Sequence, residues 1–306
     1  MIDIVGRRYW YFGLSLLIIV PGMIALALWG LPLSIDFTSG SLLEVTFPQA
    51  TQPVDPAQVR AIYAAHGHAD STVQTVETTG IVVRSKPLAE GDQRTILAEL
   101  EALYGPVTVL TAETVGPTVG AEVARRAALA VGLAAVGILA YIAFAFRKVD
   151  HPVRYGVAAV VAMLHDVLVM IGVAAIFGKL FGWEVNALFL TALLTVVGFS
   201  VHDSIVVFDR IRENQLHNRR MDYESLVNHS IVQTLDRSLN TQITVMFALL
   251  AMALFGGETI RQFVVMLLIG ILSGTYSSVF NAAPLLVVWE NREWTRLFRR
   301  KRAQPA

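Results

Sequence analysis

Two acidic residues lie inside long apolar stretches of the sequence, where ionisable groups are rare. Asp203 follows His202 in VGFSVHDSIVVFDRIREN, and Asp166 follows His165 in VAMLHDVLVM. A charged side chain at the centre of a membrane-spanning helix costs roughly 2.5–3.5 kcal/mol on insertion scales, and such residues usually serve an ion or proton path. A purely structural polar network would contain the same residue types. A carboxylate that reaches water from a helix end describes Asp209 better than Asp203.

The neighbours of Asp203 are polar on one side of the predicted helix. At about 100° per residue, five polar residues fall within about 120° of Asp203. They are Thr191, Thr195, Ser200, His202 and Ser204. The opposite side is apolar and contains Leu190, Leu194, Val197, Val201, Ile205 and Phe208. This pattern predicts that the apolar side faces lipid and that Asp203 points into a helix bundle.

Two later apolar stretches carry residues that could meet Asp203. Arg237 lies in QTLDRSLNTQIT at the start of one of them. The last stretch contains SGTYSSVFNAAP, whose Gly274, Ser277 and Ser278 are small enough to allow close helix contact. Four apolar stretches therefore offer ionisable or small polar residues to one interior, which favours an ion or proton path.

The composition indicates a membrane protein. Of 306 residues, 55% are hydrophobic and 16% are charged, and the mean hydropathy is +0.57. Soluble domains are about 45–50% apolar and about 25% charged. The charges are scattered and sum to zero, so nothing indicates a nucleic-acid partner. The absence of cysteine excludes disulfides, thiolate metal sites and cysteine nucleophiles. Neither a cofactor nor a metal site is predicted.

Six stretches reach the roughly 20 apolar residues that a bilayer requires. They are Tyr9–Leu31, Ala127–Phe146, Tyr155–Phe177, Val185–Phe208, Ser238–Phe255 and Phe263–Trp289. Lys and Arg are enriched on the cytoplasmic side of membrane proteins. Placing both termini in the cytoplasm puts 16 of the 24 basic residues on that side. The first stretch resembles a cleavable signal peptide, with Arg7-Arg8 and Ala25-Leu26-Ala27, but its apolar region exceeds the usual length of about 7–15 residues.

The segment between the first two stretches has the composition of a soluble domain. Alternation, capping and turn signals predict strands and helices in the order β-α-β-β-α-β, which is typical of a ferredoxin-like fold. The predicted elements are Ser41–Phe47, a helix from Asp55-Pro56 through His66, Thr72–Glu77, Ile81–Ser85, Gly91–Tyr104 and Val107–Val115. His66 and His68 are interpreted as solvated side chains rather than metal ligands.

These elements predict a polytopic α-helical membrane protein with an extracytoplasmic α+β domain. The predicted divisions are residues 1–31 (N-terminus and first span), 32–124 (outer domain), 125–290 (the other five spans) and 291–306 (a basic cytoplasmic tail). Within the third division, residues 210–236 form a cytoplasmic link. The link is expected to contain a short in-plane helix with Asp222 as its N-cap.

The motifs resemble those of the SecF family. SIDFTSG, VGPTVGAEV, LHDV, VGFSVHDSIVVFDRIREN, QTLDRSL and GTYSSVFNAAP occur in that order between about Arg7 and Trp289. SecF is a subunit of the SecD–SecF accessory complex of the bacterial Sec translocon, in the resistance-nodulation-division superfamily. Two short departures occur: Ser39-Gly40 stands where the family usually has two glycines, and His202-Asp203-Ser204 stands where it usually has Asn-Asp-Thr.

The resemblance implies a subunit without enzymatic activity that uses the proton-motive force with SecD. It would promote polypeptide export across the cytoplasmic membrane during or after SecA-driven translocation. The implied partners are SecD, the SecYEG translocon and exported unfolded polypeptides, with YajC and YidC as further candidates. The family's fourth-span acid falls on Asp203, and its fifth-span basic residue falls on Arg237. His202 adds a second titratable group beside the acid, and His165-Asp166 could relay protons from the outer side.

Two alternatives fit parts of the pattern. Half of a proton-coupled exporter of small molecules or lipids would usually have a larger outer domain and would lack DRIREN. An intramembrane aspartyl protease could use Asp166 and Asp203, but such enzymes require a Gly-x-Gly-Asp type of motif. The residues from Gly198 to His202 do not provide it.

Overall fold

The computed structural model describes residues 2–50, 52–76, 78–147, 149, 151–218 and 220–293. The chain divides into two compact units. One unit comprises Leu33–Ala128, and the other comprises Met1–Pro32 together with Leu129–Ala306. Most of the predicted basic tail, residues 294–306, lies outside the described residues.

The helices and strands follow in one chain order. The helices are α1 (Arg8–Trp29), α2 (Ile35–Thr38), α3 (Pro56–Ala65), α4 (Glu90–Tyr104), α5 (Pro117–Ala145), α6 (Pro152–Phe181), α7 (Ala187–His217), α8 (Tyr223–Phe255), α9 (Glu258–Ser277) and α10 (Ala283–Glu290). The strands are β1 (Gly40–Thr46), β2 (Thr72–Val76), β3 (Gly80–Ser85) and β4 (Thr108–Val115).

Six helical segments of the described chain are long and apolar enough to span a membrane. They are α1, α5, α6, α7, α8 and the combined α9–α10 segment. The predicted number of spans is therefore confirmed. The last segment is not one uniform helix, because a π-helical turn at Ser278–Ala282 separates α9 from α10. Pro284 lies just beyond this turn and has no N–H group to donate, so the wider turn accommodates a break in the helical ladder.

The link between the fourth and fifth spans differs from the prediction. Asp222 does cap a helix, because its side chain accepts a hydrogen bond from Ser225 N at 2.9 Å. That helix, α8, continues without a break from Tyr223 to Phe255. The expected separate in-plane helix is therefore wrong. No glycine or proline occurs between these two ends, so nothing in the backbone stops the helix between its polar and apolar parts.

The membrane unit is organised around α6, which packs against α1, α7 and α9. The crossing of α1 and α6 is especially close at Gly22 and Gly172. A Cβ atom built on Gly22 would lie 2.7 Å from the Cα atom of Gly172. Small residues at such crossings let two helix backbones approach and gain van der Waals contact.

Replacing Gly22 with alanine is expected to destabilise the α1–α6 contact. Overpacking at a close contact costs about 1–3 kcal/mol. Gly13→Ala on the same helix is the matched control, because no described atom outside the local helix lies within 4 Å of a Cβ atom at Gly13. Thermal unfolding of the purified protein in detergent measures the difference. Equal melting temperatures for the two variants would contradict the close-contact argument.

The outer unit contains a four-stranded antiparallel sheet with the strand order β2-β3-β1-β4. Helices α3 and α4 cover one face, where Tyr63 and Leu100 pack against sheet residues such as Val45. Asp55 caps α3 by accepting a hydrogen bond from Ala57 N, and Pro56 is its first residue. The ferredoxin-like prediction is confirmed. Glu77, at the predicted end of β2, lies outside the described residues.

Candidate functional site

Asp166 lies at the meeting point of three helices and is fully buried. Its Oδ2 atom accepts hydrogen bonds from Ser200 Oγ of α7 at 2.5 Å and from Ser277 Oγ of α9 at 2.7 Å. Its Oδ1 atom accepts one from Ser273 Oγ at 2.7 Å and lies 2.9 Å from His165 Nδ1. Both carboxylate oxygens are therefore satisfied by hydrogen bonds that join α6, α7 and α9.

Asp203 is also buried, at 4% exposure, but its surroundings differ. Its polar neighbours are Ser238 of α8 and the adjacent His202. The Asp203 Oδ2, Ser238 Oγ and Gln242 Oε1 atoms are buried without a hydrogen-bond partner among the residues that the structure describes. Buried polar atoms of this kind usually have a partner, and an exception can mark a functional site. The α7–α8 contact therefore encloses three polar side chains that make it a candidate functional site.

The two histidines that precede these acids take opposite positions. His165 is buried, at 8% exposure, and its ring stacks on that of Tyr276 at a centroid distance of 6.1 Å. His202 is exposed on the outer surface of α7. The structure thus brings His165 and Asp166 into direct contact, whereas His202 and Asp203 point in different directions from one helix.

The predicted orientation of α7 is wrong in one respect. Val197, Val201 and Phe208 were expected to face lipid, but they are buried in the core of the membrane unit. Thr191 and His202, from the predicted inner side, are exposed. The interior of a bundle and the lipid are both apolar, so an apolar helix face can pack on either. Asp203, Ser200 and Ser204 lie on the buried side, as predicted.

Arg237 is exposed on α8 and forms no ion pair with Asp203 among the described residues. It shares one helix face with three further exposed polar residues at spacings of three and four. They are Asn240, Thr241 and Thr244. We call Arg237, Asn240, Thr241 and Thr244 the polar face of α8. We call the exposed residues Thr191 and His202, with Gly198 between them, the polar face of α7.

The small residues of the last span form the contact with α7. A Cβ atom on Gly274 would lie 3.2 Å from Ser200 Cβ. Ser278 Oγ donates to the Ser200 carbonyl oxygen at 2.9 Å and lies 3.2 Å from Ser204 Oγ. Together with the bond from Ser277 to Asp166, these contacts join the last span to α6 and α7.

Sequence reasoning noted Gln242 near Arg237 but did not single out Ser273 or Ser238. Ser273 lies one helical turn before Ser277, and Ser238 lies one turn before Gln242. Spacing of four places each pair on one helix face, which is the signal that could have been used. The described residues contain no group of three or more His, Cys, Asp or Glu side chains that could hold a metal ion.

A second polar cluster joins the first span to the ends of α8 and α10. The guanidinium of Arg8, which is 8% exposed, donates to Glu224 Oε1 at 2.7 Å and to Glu293 Oε1 at 2.5 Å. Asn228 Oδ1 accepts hydrogen bonds from the backbone N–H groups of Ile4 and Val5. These contacts fix the N-terminal segment against the rest of the membrane unit.

The stability of this cluster is expected to depend on pH through Glu293. Burial alone would raise the pKa of Glu293, but hydrogen bonds from Arg8, Tyr9 and Asn291 outweigh it and lower the pKa below its usual value. The stabilisation is therefore complete above the unfolded-state pKa and is lost as pH falls through the lower folded-state pKa. Glu293→Gln should cost about 1–3 kcal/mol at pH 7.

Unfolding midpoints of wild type and Glu293→Gln, measured from pH 7 downward, check this expectation. The advantage of the wild type should shrink once the pH falls below the ordinary glutamate range. Glu122→Gln, which removes an exposed partner of Arg126, is the control and should change little, because exposed ion pairs contribute little. A wild-type advantage that stays constant down to pH 3 would contradict the role of Glu293.

Comparison with known proteins places the chain in a family. Residues 95–292 match the family described as protein export membrane protein SecD/SecF, C-terminal. The chain is 53% identical to the protein translocase subunit SecF of Anaerolinea thermophila, over 100% of this chain and 99% of that protein. The chain belongs to the SecF family. A SecF subunit of Thermobaculum terrenum is 51% identical, again over 100% of this chain and 99% of the relative.

A solved structure agrees with this membership. The crystal structure of SecDF from Thermus thermophilus superposes with a TM-score of 0.80 at 35% identity and covers 95% of this chain. The match covers 39% of that SecDF chain, so this SecF-family chain spans about two fifths of it. The protein is therefore a multi-pass bacterial membrane protein of the translocase-subunit class, which leaves the exporter and protease alternatives without support.

Proposed function

We propose that this chain is the SecF half of a proton-driven accessory complex of the Sec translocase. A SecD-like subunit supplies the other half, and the complex promotes polypeptide export during or after SecA-driven translocation. The observation that carries the proposal is Asp203 in a chain of the SecF family. It is a buried carboxyl group, and one of its oxygens has no hydrogen-bond partner in the described structure. The likeness to two fifths of a SecDF chain supports SecD as the partner.

The polar faces of α7 and α8 support a second half. In the chain alone, His202, Arg237 and Asn240 are exposed on helices that cross the membrane. Polar side chains in a membrane are costly against lipid and usually face a bundle interior or a water-filled cavity. A SecD-like subunit that packs on these faces would remove them from lipid. It would also bring its own fourth span beside α7 and close to Asp203.

The proton cycle follows from two opposing effects on Asp203. Burial without a counter-charge favours the neutral acid, and an approaching guanidinium favours the carboxylate. Arg237 forms no ion pair with Asp203 among the described residues, so movement of α8 or docking of the partner would have to bring it inward. One state would then hold the protonated acid, and the other would release the proton.

The two acids have different proposed roles. Asp203 is the proton carrier because, within the described part of the chain, one of its oxygens has no competing hydrogen bond. Asp166 already accepts bonds from three serines, so protonating it would disturb the contact of three helices. We assign Asp166 mainly to holding α6, α7 and α9 together. His165 and His202 are the groups that could pass protons toward Asp203.

The outer unit is proposed to contact exported polypeptide or the outer domain of SecD. Its sheet has two edge strands, β2 and β4, whose outer backbone groups are available for pairing. Edge strands are a common docking point for extended chains. In this arrangement both termini lie in the cytoplasm, and SecYEG is the channel that the complex serves. YajC and YidC are further proposed partners.

Site-directed disulfide crosslinking tests the shared interface. The chain contains no cysteine, so single cysteines can be introduced without removing native ones. Cysteines at Gly198 and His202 should crosslink to cysteines on the fourth span of the SecD-like subunit when the two are co-expressed in native membranes. Leu17 on α1, which is 69% exposed, is the control position and should not crosslink. Crosslinking from Leu17 but from neither α7 position would refute the proposed interface.

A further inference from the structure

A small polar cavity lies at the end of the membrane unit where α6 begins. Its volume is about 210 Å³, and residues that line it include Arg154, Tyr155, Tyr223, Glu290 and His151. These residues come from the start of α6, the start of α8, the end of α10 and the turn before α6. They lie at the ends of membrane-spanning segments, which is the level of the lipid headgroups.

The side chains of this cavity are held in place by neighbouring packing. The ring of Tyr155 stacks on Phe146 at a centroid distance of 5.3 Å and meets the ring of Phe208 edge-on at 5.3 Å. Tyr155 is 2% exposed, and its hydroxyl interacts with that of Tyr223. The phenol groups are therefore preorganised, because their rings cannot turn without disturbing the core.

The charges that line the cavity are of both signs. Arg154 forms an ion pair with Glu290, and their side chains remain 25% and 49% exposed. A simple anion would suit Arg154 and His151 but would be repelled by Glu290. A simple cation would suit Glu290 but would be repelled by Arg154. A ligand with a phosphate group and a nearby primary ammonium group complements both charges.

We infer that this cavity binds the headgroup of a zwitterionic phospholipid with a primary ammonium group, as in phosphatidylethanolamine. The phosphate would accept hydrogen bonds from Arg154 and the Tyr223 hydroxyl, and the ammonium would donate to Glu290. The cavity is smaller than typical small-molecule sites of about 300–1,000 Å³, which suits a headgroup whose acyl chains remain in the bilayer. The inference does not depend on proton transfer by Asp203.

Lipid retention on the full-length protein tests the site. The protein is purified from mixed vesicles of phosphatidylethanolamine, phosphatidylcholine and phosphatidylglycerol, and bound lipid is measured by native mass spectrometry. Phosphatidylethanolamine should be retained preferentially. Phosphatidylcholine carries no N–H group to donate to Glu290, and phosphatidylglycerol has no ammonium group. Equal retention of the three lipids would overturn the inference.

Two substitutions at the cavity should reduce the preference. Arg154→Gln and Glu290→Gln should each lower the retention of phosphatidylethanolamine by about tenfold, because each removes a charge-assisted hydrogen bond. Arg210→Gln is the control, since Arg210 pairs with Glu213 at the end of α7 and does not line the cavity. Tyr223→Phe removes only a hydroxyl group and should reduce the retention of phosphatidylethanolamine partially. It replaces a charge variant that does not yield monodisperse protein. Unchanged retention in the folded cavity variants would overturn the assignment.

A soluble competitor separates the lipid from other sources of the same chemistry. Glycerophosphoethanolamine carries the headgroup without acyl chains, and inorganic phosphate carries neither the chains nor the ammonium. The site predicts that glycerophosphoethanolamine at high concentration displaces the lipid and that inorganic phosphate at the same concentration does not. Displacement by inorganic phosphate alone would show a simple anion site and would overturn the inference.

Discussion

Asp203→Asn is expected to abolish proton-driven export while the subunit still assembles with its partner. Asparagine keeps the volume and most of the hydrogen-bonding capacity of aspartate but cannot carry a proton. Asp203 is 4% exposed, and its Oδ2 atom makes no hydrogen bond within the described residues. The amide should therefore disturb packing little. Proton flux and proton-dependent export, measured in vesicles that contain the variant and its SecD-like partner, should fall by at least about a hundredfold, as expected when an essential ionisable group is lost.

Asp209→Asn is the matched control for this experiment. Asp209 lies less than two turns further along α7, is exposed, and pairs with Arg212 at 2.6 Å. Exposed ion pairs contribute roughly 0–1 kcal/mol, so this variant should keep normal coupling and stability. Wild-type proton coupling in Asp203→Asn would refute the carrier role of Asp203, whatever the family membership indicates. If Asp203→Asn does not assemble with its partner, Asp203→Glu replaces it in the test. Glutamate can still carry a proton, so this variant should retain coupling.

The second large effect is expected on stability rather than on coupling. Asp166→Ala removes the acceptor of three serine hydroxyls, those of Ser200, Ser273 and Ser277. A buried polar group left without a partner costs about 1–3 kcal/mol. The loss of the shared acceptor should therefore lower the free energy of unfolding by roughly 3 kcal/mol or more, together with a cavity contribution.

Denaturant or thermal unfolding of the purified complex measures this effect. Ser273→Ala removes one of the three donors and leaves the others in place, so it should cost much less than Asp166→Ala. Asp203→Asn should leave the unfolding midpoint near that of the wild type. This contrast separates the two acids. Substitution of Asp166 should lower stability, and substitution of Asp203 should abolish proton coupling. A stable Asp166→Ala variant would contradict the proposed role of Asp166 in holding the helices together.

Much of the outer unit could be predicted because its signals are local. Asp55 and Pro56 mark a helix start through capping and a fixed backbone angle, and the structure uses them in that way. Alternating residues in β1 and β3 identify which side chains reach the core. The ferredoxin-like strand order follows from the element order, since few connections are compatible with it.

The boundaries inside the membrane unit were harder to predict. Capping predicted a helix that starts after Asp222, as observed. Hydropathy identifies a span by its apolar residues, so it gave no sign that this polar helix continues into the fifth span. It also gave no sign of the π-helical turn before Pro284. Both features depend on backbone hydrogen bonds and on neighbouring helices. A hydropathy average over side chains contains no information about either.

The sequence alone determined the class of protein, the number of spans, the outer fold and the presence of two buried acids. Residue types and spacing did not distinguish those acids, because each follows a histidine within an apolar stretch. Only the family resemblance singled out Asp203 as the fourth-span acid. Only the tertiary structure showed that serines from α7 and α9 satisfy Asp166, whereas one Asp203 oxygen has no partner among the residues described. It also decided which side of α7 is buried. An apolar side chain is equally stable against lipid and against a neighbouring helix, so helical periodicity shows that two faces differ but not which face meets the protein.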